Sequence, residues 1–375
     1  MKIDKICILG YGNIGKTVYN LLATMLNSRA LHFTIFDENP ADITFSDSDR
    51  FSIHSFTLYE NGDATSNTKL EELVKNNDLV INCLPYLFNS KVVNLCSKYN
   101  KHYFGLTEDY KSLPDWKSDA LFLPQCGLAP GMVSIIAKEL MTKFNVAHNV
   151  KLRVGALPRF TSTKLKYAWT WNPHGLVNEY YKPAIILQRG QQATVQSLTG
   201  LENVYIDAQK YDAFHTSGGI GTLAETYENA YSGMNIDYKT LRYPGHYDYI
   251  HFMKTDLQMS PEVMQKHLLE ILPTTKQDVV VLYVYVDGFK DEKFQQDVYI
   301  KKFYPMYIGN NLHTAISYTT AFGVVGIIEL LISGQLEDKT GHVKQEEIKF
   351  DKFCQTKCGR YFRMTPPEEF DTFVI

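Results

Sequence analysis

The chain begins with a glycine-rich turn between an apolar strand and a helix. The strand runs from Lys5 to Leu9, and Gly10, Gly12 and Gly15 follow it directly. In such a turn the first glycine bends the chain, the second lets the backbone approach a pyrophosphate, and the third lets the helix pack on the strand. The helix N-terminus then presents free N–H groups to the phosphates. The predicted dinucleotide-binding residues of this turn are Gly10, Gly12, Asn13, Ile14 and Gly15.

An acidic residue stands where the ribose of such a cofactor is recognised. The second strand, Leu31 to Phe36, ends in Asp37, 22 positions after Gly15. A carboxylate at this place accepts hydrogen bonds from the adenosine ribose of NAD. The 2′-phosphate of NADP would bring negative charge against Asp37 and Glu38, and no Arg or Lys follows until Arg50. The sequence therefore predicts NAD rather than NADP. The alternative to a dinucleotide-binding site is a glycine-rich turn in an unrelated α/β protein.

Length and composition predict a soluble globular protein of two domains, or of one large α/β domain with an insertion. The chain has 375 residues, of which 45% are hydrophobic and 21% charged. Its net charge of −3 gives no reason to expect nucleic acid or an anionic membrane as a partner. The first strand is too short, and too soon broken by glycine, to span a membrane, and no signal peptide precedes it. A cytoplasmic location is expected.

The six cysteines are scattered and predict neither a disulfide framework nor a zinc site. Several of them lie in apolar runs, which suits reduced, buried thiols in a reducing compartment. Cys354 and Cys358 are four positions apart, but no second Cys or His pair accompanies them. Because a structural zinc ion needs four ligands, no metal is predicted.

Strands and helices alternate from residue 1 to about 145, which predicts a doubly wound parallel sheet. Asp78 to Pro85 is continuously apolar apart from its ends and from Asn82, as expected of a parallel strand buried on both faces. Ligands bind at the carboxyl ends of such strands. Leu84 and Pro85 are therefore predicted to contact the cofactor, as is Thr107, which follows the next strand.

The pattern changes after residue 145 to that of a mixed α+β domain. Valine- and tyrosine-rich strands, such as Asp278 to Gly288, alternate with segments rich in Pro, Gly and aromatic residues. A long apolar helix within Asn311 to Gly334 is expected to return to the first domain. The predicted division is 1–145 plus 312–375 for the NAD(P)-binding domain and 146–311 for a substrate domain.

Four polar clusters in the second domain are unlike core sequence. They are Lys164 to Tyr167 with Trp169 and Trp171, His174-Gly175 with Asn178 to Tyr180, His215 to Gly219, and Lys239 to His246. Each cluster alone is more often a turn or a solvated strand edge. Together, cationic and hydroxyl groups beside glycines also suit an α-amino acid substrate, because arginine binds a carboxylate through two parallel hydrogen bonds.

At these residues the chain resembles the saccharopine dehydrogenase family, including its lysine 6-dehydrogenase branch. The resemblance covers nearly the whole chain, in family order. The matching stretches are Gly10 to Gly15, Leu84 to Tyr86, Leu106 to Asp109, Gln125 to Gly131, Thr170-Trp171, Thr216 to Gly219 and Lys239 to His246. Many relatives carry an acidic residue where this chain has Ala129, so one polar contact of the family is missing.

The resemblance implies a Rossmann domain completed by C-terminal elements, with an inserted substrate and dimerisation domain and the active site in the cleft between them. It implies a homodimer that uses a nicotinamide cofactor to oxidise a carbon bearing nitrogen in an amino acid. Saccharopine would give glutamate and 2-aminoadipate semialdehyde. Lysine, the alternative substrate, would give the same semialdehyde with ammonia.

Roles can be assigned to individual residues on this basis. Tyr86 and Cys126 follow predicted sheet strands and are candidates for the general acid or base, with Asp109 as a third. A small buried thiol is the structural alternative for Cys126. The predicted substrate-binding residues are Lys166 and Arg242 as carboxylate anchors, His246 as an anchor or proton shuttle, and Trp171 and Ser217.

A protein of another class, a non-catalytic sensor or scaffold that binds NAD(P), shares the same fold. The polar clusters of both domains argue against it, since a sensor needs only the cofactor site.

Overall fold

The computed structural model describes residues 3–25, 31–37, 51–55, 68–85, 88–106 and 115–364. They form two compact units. Of the described residues, the first holds those up to Leu128 together with Thr320–Tyr361, and the second holds Ala129–Thr319 together with 362–364.

The N-terminal part of the first unit alternates strands and helices. These are β1 (Lys5–Leu9), α1 (Asn13–Met25), β2 (His32–Asp37), β3 (Phe51–Ser55), α2 (Thr68–Asn76), β4 (Leu79–Asn82), α3 (Asn89–Lys98), β5 (His102–Gly105) and β6 (Leu121–Leu123). All four residues of β4 are buried, as expected of a parallel strand covered on both faces. In α1, Val18, Leu21 and Leu22 are fully buried. The periodicity of the sequence predicted this apolar face, and the structure confirms it.

The second unit begins with a helix and continues mainly as strands. Its elements are α4 (Met132–Met141), β7 (Val146–Pro158), α5 (Pro173–Tyr181), β8 (Ala184–Gln188), β9 (Gln191–Val195), β10 (Glu202–Ile206), β11 (Gln209–His215), α6 (Leu223–Thr226), β12 (Asn235–Arg242), α7 (His246–Thr255), α8 (Pro261–Ile271), β13 (Asp278–Lys290), β14 (Lys293–Phe303), β15 (Met306–Ile308) and β16 (Asn311–His313). Two further helices and a short strand complete the described chain: α9 (Ala315–Ile332), β17 (Gly341–His342) and α10 (Phe350–Phe353).

The first sheet is parallel throughout, with strand order β17-β6-β5-β4-β1-β2-β3. Ile6 of β1 aligns with Phe33 of β2 and with Leu79 of β4. The order reverses between β1 and β4, and ligands of doubly wound sheets bind at the carboxyl ends of the strands at such a reversal. The predicted α/β fold class is confirmed.

The second sheet is mixed and has the strand order β10-β11-β12-β7-β13-β14, with β8 and β9 attached at β12. Only the pairing of β12 with β7 is parallel among the described strands of this sheet. The sequence-based boundary after residue 145 placed α4 with the first domain. In the structure α4 packs on β7 and β13, so packing groups it with the second unit.

Helix α9 carries the chain from the second unit to the first. By length and composition it could cross a membrane, with a mean hydropathy of 1.8, but 78% of it is buried inside the protein. Within the first unit, Gly323 of this helix packs so closely that an added Cβ would stand 2.6 Å from the carbonyl oxygen of Gly127. This contact explains why the helix contains glycine despite its cost to helix stability. All six cysteines are free thiols.

Candidate functional site

The three glycines of the first turn are required for different reasons. Gly10 has φ +88°, and a Cβ there would lie 2.9 Å from the carbonyl oxygen of Cys83. A Cβ on Gly15 would lie 2.0 Å from the carbonyl oxygen of Gly10. A Cβ on Gly12 would meet no atom of the described residues within 4 Å. The described backbone therefore excludes side chains at Gly10 and Gly15 but leaves space over Gly12, next to the start of α1, which fits a pyrophosphate.

Asp37 lies beside this turn. It is the last residue of β2 and is half-buried, and its Oδ2 accepts a hydrogen bond from the backbone N–H of Tyr11 at 2.6 Å. The carboxylate is thus held at the edge where the adenosine ribose of a dinucleotide lies in this fold. These features fit a nicotinamide dinucleotide, which would be held by the turn, the start of α1 and Asp37.

Leu84 and Pro85 follow β4 at the same edge of the sheet. The N–H of buried Leu84 donates to Oδ1 of Asn82 at 3.2 Å, while Pro85 is exposed. Asn82 is itself held by Asn89 and by the hydroxyl of Tyr103. This backbone is therefore fixed next to the glycine turn. Its contact with the cofactor stays a prediction, and Thr107 lies outside the described residues.

Cys126 has the surroundings of a structural thiol. It is fully buried, its S–H donates to the carbonyl oxygen of Leu123 at 3.1 Å, and its Sγ accepts from Nε2 of Gln345 at 3.2 Å. Burial raises the pKa of the Cys126 thiol to about 12, so that it stays protonated at neutral pH. The catalytic assignment of Cys126 stays a prediction. The other two candidates, Tyr86 and Asp109, lie outside the described part of the chain.

The second unit holds Arg242 at the centre of a buried polar cluster. The guanidinium stacks over the ring of Tyr167 at 5.0 Å, its Nε donates to the hydroxyl of Tyr180 at 3.2 Å, and its Nη1 donates to the carbonyl oxygen of Leu241 at 3.0 Å. Oε2 of Glu179 stands 3.7 Å from Nη2. Arg242 is only 2% exposed, and burial opposes its charge, but the neighbouring Tyr180, Tyr167 and Glu179 outweigh burial and raise its pKa. It therefore carries a permanent buried positive charge.

His246 fixes Tyr180 in place behind Arg242. Its Nδ1–H donates to the carbonyl oxygen of Leu165 at 2.8 Å, so its Nε2 is left to accept from the hydroxyl of Tyr180 at 3.0 Å. Burial and the charge of Arg242 lower the pKa of His246 to about 3. Both ring nitrogens are occupied and the ring is neutral, which favours a positioning role over a proton shuttle.

The remaining predicted substrate residues join the same cluster. Nζ of Lys166 donates to the carbonyl oxygen of Pro244 at 2.8 Å, and Nε1 of Trp171 donates to the hydroxyl of Tyr167 at 3.0 Å. The backbone N–H of Ser217 donates to the carbonyl oxygen of Glu179 at 3.2 Å. The structure thus gathers Trp171, Ser217, Arg242 and His246 around Tyr167, Glu179 and Tyr180, while the ammonium of Lys166 is held at Pro244, two residues after Arg242.

Sequence reasoning assigned no role to Tyr167, Glu179 or Tyr180. Each belongs to one of the polar clusters, but the contact between Glu179 and Arg242 joins positions 63 apart in the chain. The hydroxyl of Tyr180 likewise pairs with His246, 66 positions away, so no local sequence pattern identifies this contact. Within the described ranges, no group of three or more His, Cys, Asp or Glu side chains could hold a metal ion.

The fold and the first site define a dinucleotide-binding α/β protein with a second unit that presents a buried cation. A family model described as the saccharopine dehydrogenase NADP binding domain matches residues 6–116, and one described as the saccharopine dehydrogenase C-terminal domain matches residues 127–357. The chain belongs to the saccharopine dehydrogenase family.

Individual relatives agree with this assignment. The mitochondrial alpha-aminoadipic semialdehyde synthases of Rattus norvegicus and Bos taurus are 27% identical over 192 and 198 residues, which are 48% and 50% of this chain. The matched segment is 21% of the length of each of these relatives. A solved apo saccharopine dehydrogenase (L-Glu forming) from Saccharomyces cerevisiae shares the fold, with a TM-score of 0.71 over 96% of this chain and 98% of that one, at 14% identity.

Proposed function

We propose that the protein is an NAD(P)-dependent oxidoreductase that converts saccharopine to glutamate and 2-aminoadipate semialdehyde. Both family models support an oxidoreductase of this kind. The names of the similar proteins point to the same chemistry, since one refers to saccharopine and the others to aminoadipic semialdehyde.

The observation that carries the proposal is the buried guanidinium of Arg242. A permanent positive charge, 2% exposed and stacked on Tyr167, is expensive to bury unless anions accompany it. Its Nη2 faces Glu179 at 3.7 Å, which is beyond hydrogen-bond length, and so it can still donate to a substrate carboxylate. Saccharopine carries three carboxylates, and Lys166 is the second cation that this cluster offers.

The reaction oxidises the carbon–nitrogen bond and then hydrolyses it. A nicotinamide cofactor held by the glycine turn and Asp37 would supply the hydride acceptor, and the carbon that bears the secondary amine would lose the hydride. Water adds to the resulting imine, and the carbon–nitrogen bond breaks to release an amine and an aldehyde. The protein's task is to hold the carboxylates, through Arg242 and Lys166, and to move protons. Tyr86, Cys126 and Asp109 remain the predicted proton-transfer residues.

Lysine is the second candidate substrate. It has one carboxylate and one α-ammonium, which the Arg242–Glu179 pair alone can satisfy, and its oxidation would release ammonia in place of glutamate. The test is the absorbance of the reduced cofactor when the protein is mixed with saccharopine or with lysine. Faster reduction with saccharopine supports the proposal. No reduction with either substrate, or with other amino acids, favours a cofactor-binding sensor.

For the cofactor we propose NAD. The family model is described as NADP-binding, whereas the carboxylate of Asp37 at the end of β2 favours the free ribose hydroxyls of NAD. Like charges brought together cost several kcal/mol. We expect kcat/KM to be at least about tenfold higher with NAD, a difference of ~1.4 kcal/mol. A kcat/KM for NADP that equals or exceeds the value for NAD would overturn this choice.

A homodimer and a cytoplasmic location complete the proposal. The curated relatives are named as mitochondrial, so the location is best tested by fractionation of cells that express the tagged chain. Size-exclusion chromatography with light scattering gives the oligomeric state.

A further inference from the structure

The second unit contains two buried arginines whose partners differ. Arg153 is 1% exposed, and carboxylates surround it: its Nε donates to Glu202 at 2.6 Å, and its Nη1 and Nη2 donate to Asp237 at 3.0 and 2.9 Å. Arg242 is equally buried, yet its Nη2 makes no hydrogen bond to any residue in the described part of the chain and only faces Glu179 at 3.7 Å. Carboxylates thus accept hydrogen bonds from Nε, Nη1 and Nη2 of Arg153, whereas the Nη2 edge of Arg242 is left able to donate to a ligand.

A second group in the same cluster, the side chain of Ser217, also has hydrogen-bonding capacity to spare. The Oγ of Ser217 is buried and has no hydrogen-bond partner among the described residues, and Ser217 is 6% exposed. The backbone N–H of Ser217 is bonded to the carbonyl oxygen of Glu179, which places the hydroxyl-bearing residue next to the Glu179–Arg242 pair. An unsatisfied buried hydroxyl costs free energy, and a ligand that supplies its partner recovers that cost.

The three groups match the two charges of one end of an α-amino acid. A carboxylate accepts hydrogen bonds from a guanidinium and a hydroxyl, and an ammonium donates to a carboxylate. An α-amino acid carries both charges on one carbon, so it can pair with Arg242 and Glu179 together, two opposite charges that face each other at 3.7 Å without a hydrogen bond between them. A carboxylate without an ammonium would instead bring negative charge against Glu179.

We propose that Glu179 determines specificity by accepting the free α-ammonium of the substrate, while Arg242 and Ser217 hold the carboxylate on the same carbon. The assignment rests on the proposed function, because it states which end of saccharopine binds at Glu179 and Arg242. The nitrogen that leaves with glutamate is the secondary amine of saccharopine, so only the end that becomes 2-aminoadipate semialdehyde keeps a free α-ammonium.

The test uses two small ligands that differ only in the ammonium. Norleucine and hexanoate have the same carboxylate and the same carbon chain, and only norleucine carries an α-ammonium. Their Kd values are measured by calorimetry on the full chain and on Glu179→Gln. We expect the wild type to prefer norleucine and the variant to lose about 10- to 100-fold of that preference, the range for a hydrogen bond to a charged group.

Two further variants separate this role from a general loss of structure. Glu270→Gln removes an equally charged but exposed carboxylate on α8 and should leave the preference unchanged. Ser217→Ala should raise the Kd values of norleucine and hexanoate by the same factor. It should not lower the Tm, because the hydroxyl makes no hydrogen bond to any described residue. It also tests the site should Glu179→Gln fail to fold.

Two results would overturn the proposal. One is a wild type that binds norleucine no more tightly than hexanoate, and the other is a Glu179→Gln variant that loses both ligands equally. Because binding requires no turnover, such a failure leaves the oxidation assay standing. Conversely, an absence of oxidation leaves this measurement valid.

Discussion

In the first turn, the fold requires glycine at Gly10 and Gly15, whereas at Gly12 the requirement comes from the ligand. The backbone of the protein leaves no room for a side chain at Gly10 or Gly15, but it leaves room at Gly12. The motif could be predicted from the sequence because each glycine has a fixed mechanical role next to a strand and a helix. The partners of Arg242 could not, because α5 supplies Glu179 and Tyr180 through tertiary contacts that no local pattern encodes.

Alanine at Gly12 and at Gly15 should therefore have opposite effects. Gly12→Ala should keep its free energy of unfolding within about 0.5 kcal/mol of the wild type, since the new Cβ meets no protein atom. The Kd of the cofactor should rise by at least about tenfold, because the Cβ enters the space of the pyrophosphate. Gly15→Ala should lose roughly 1–3 kcal/mol of stability, since its Cβ would stand 2.0 Å from a backbone oxygen.

Denaturant unfolding and cofactor titration measure both quantities. A destabilised Gly12→Ala, or one with normal cofactor affinity, would show that the open space over the turn is not the pyrophosphate site.

Arg242 offers a second test at this scale. Arg242→Lys keeps the charge but loses the planar fork and the stacking on Tyr167. We expect substrate binding to weaken by about 1.5–3 kcal/mol, with the Kd of the cofactor unchanged. Steady-state kinetics with cofactor binding measured separately would check this. A normal substrate KM would remove Arg242 from the site.

At the scale of elements, the second site depends on contacts between helices and strands that are distant in sequence. Helix α5 supplies Glu179 and Tyr180, the end of β12 supplies Arg242, and the start of α7 supplies His246. The predicted strands β1, β4 and β13 agree with the structure because apolar runs determine where such strands lie. The hydrogen-bond chain from Arg242 through Tyr180 to His246 escaped prediction because it forms only when these elements pack.

This chain predicts a pH dependence of stability. The pKa of His246 falls from 6.5 to about 3 on folding, so the unfolded state binds a proton that the folded state does not between these values. Stability is therefore complete above pH 6.5 and is lost as the pH falls towards 3, by about 1.4 kcal/mol per pH unit.

Comparison of wild type and His246→Gln isolates this contribution from those of other buried histidines. The loss of unfolding free energy between pH 7 and pH 5 should be about 2 kcal/mol smaller in the variant. Urea unfolding at the two pH values gives the difference. Equal losses in the two proteins would mean that His246 is not held neutral.

At the scale of the whole molecule, one unit carries the features of a dinucleotide site and the other carries a buried cation with an open edge. The alternation of strands and helices predicted the doubly wound parallel sheet. For the second domain the sequence predicted a mixed α+β class but not the strand order. Strand order in the second sheet joins β12 to β7 across more than 70 residues, so its register depended on tertiary packing. The family models and the cluster around Arg242 together support oxidation of an amino acid at a carbon bearing nitrogen.

The identity of the amine released during cofactor reduction tests this claim most directly. Saccharopine and lysine give the same semialdehyde, but saccharopine releases glutamate and lysine releases ammonia. The measurement follows reduced cofactor, glutamate and ammonia in one reaction vessel, with each substrate in turn. We predict one glutamate for each cofactor reduced from saccharopine, and a much slower reaction with lysine. Reduction that depends on lysine and yields ammonia, with saccharopine inert, would contradict the account.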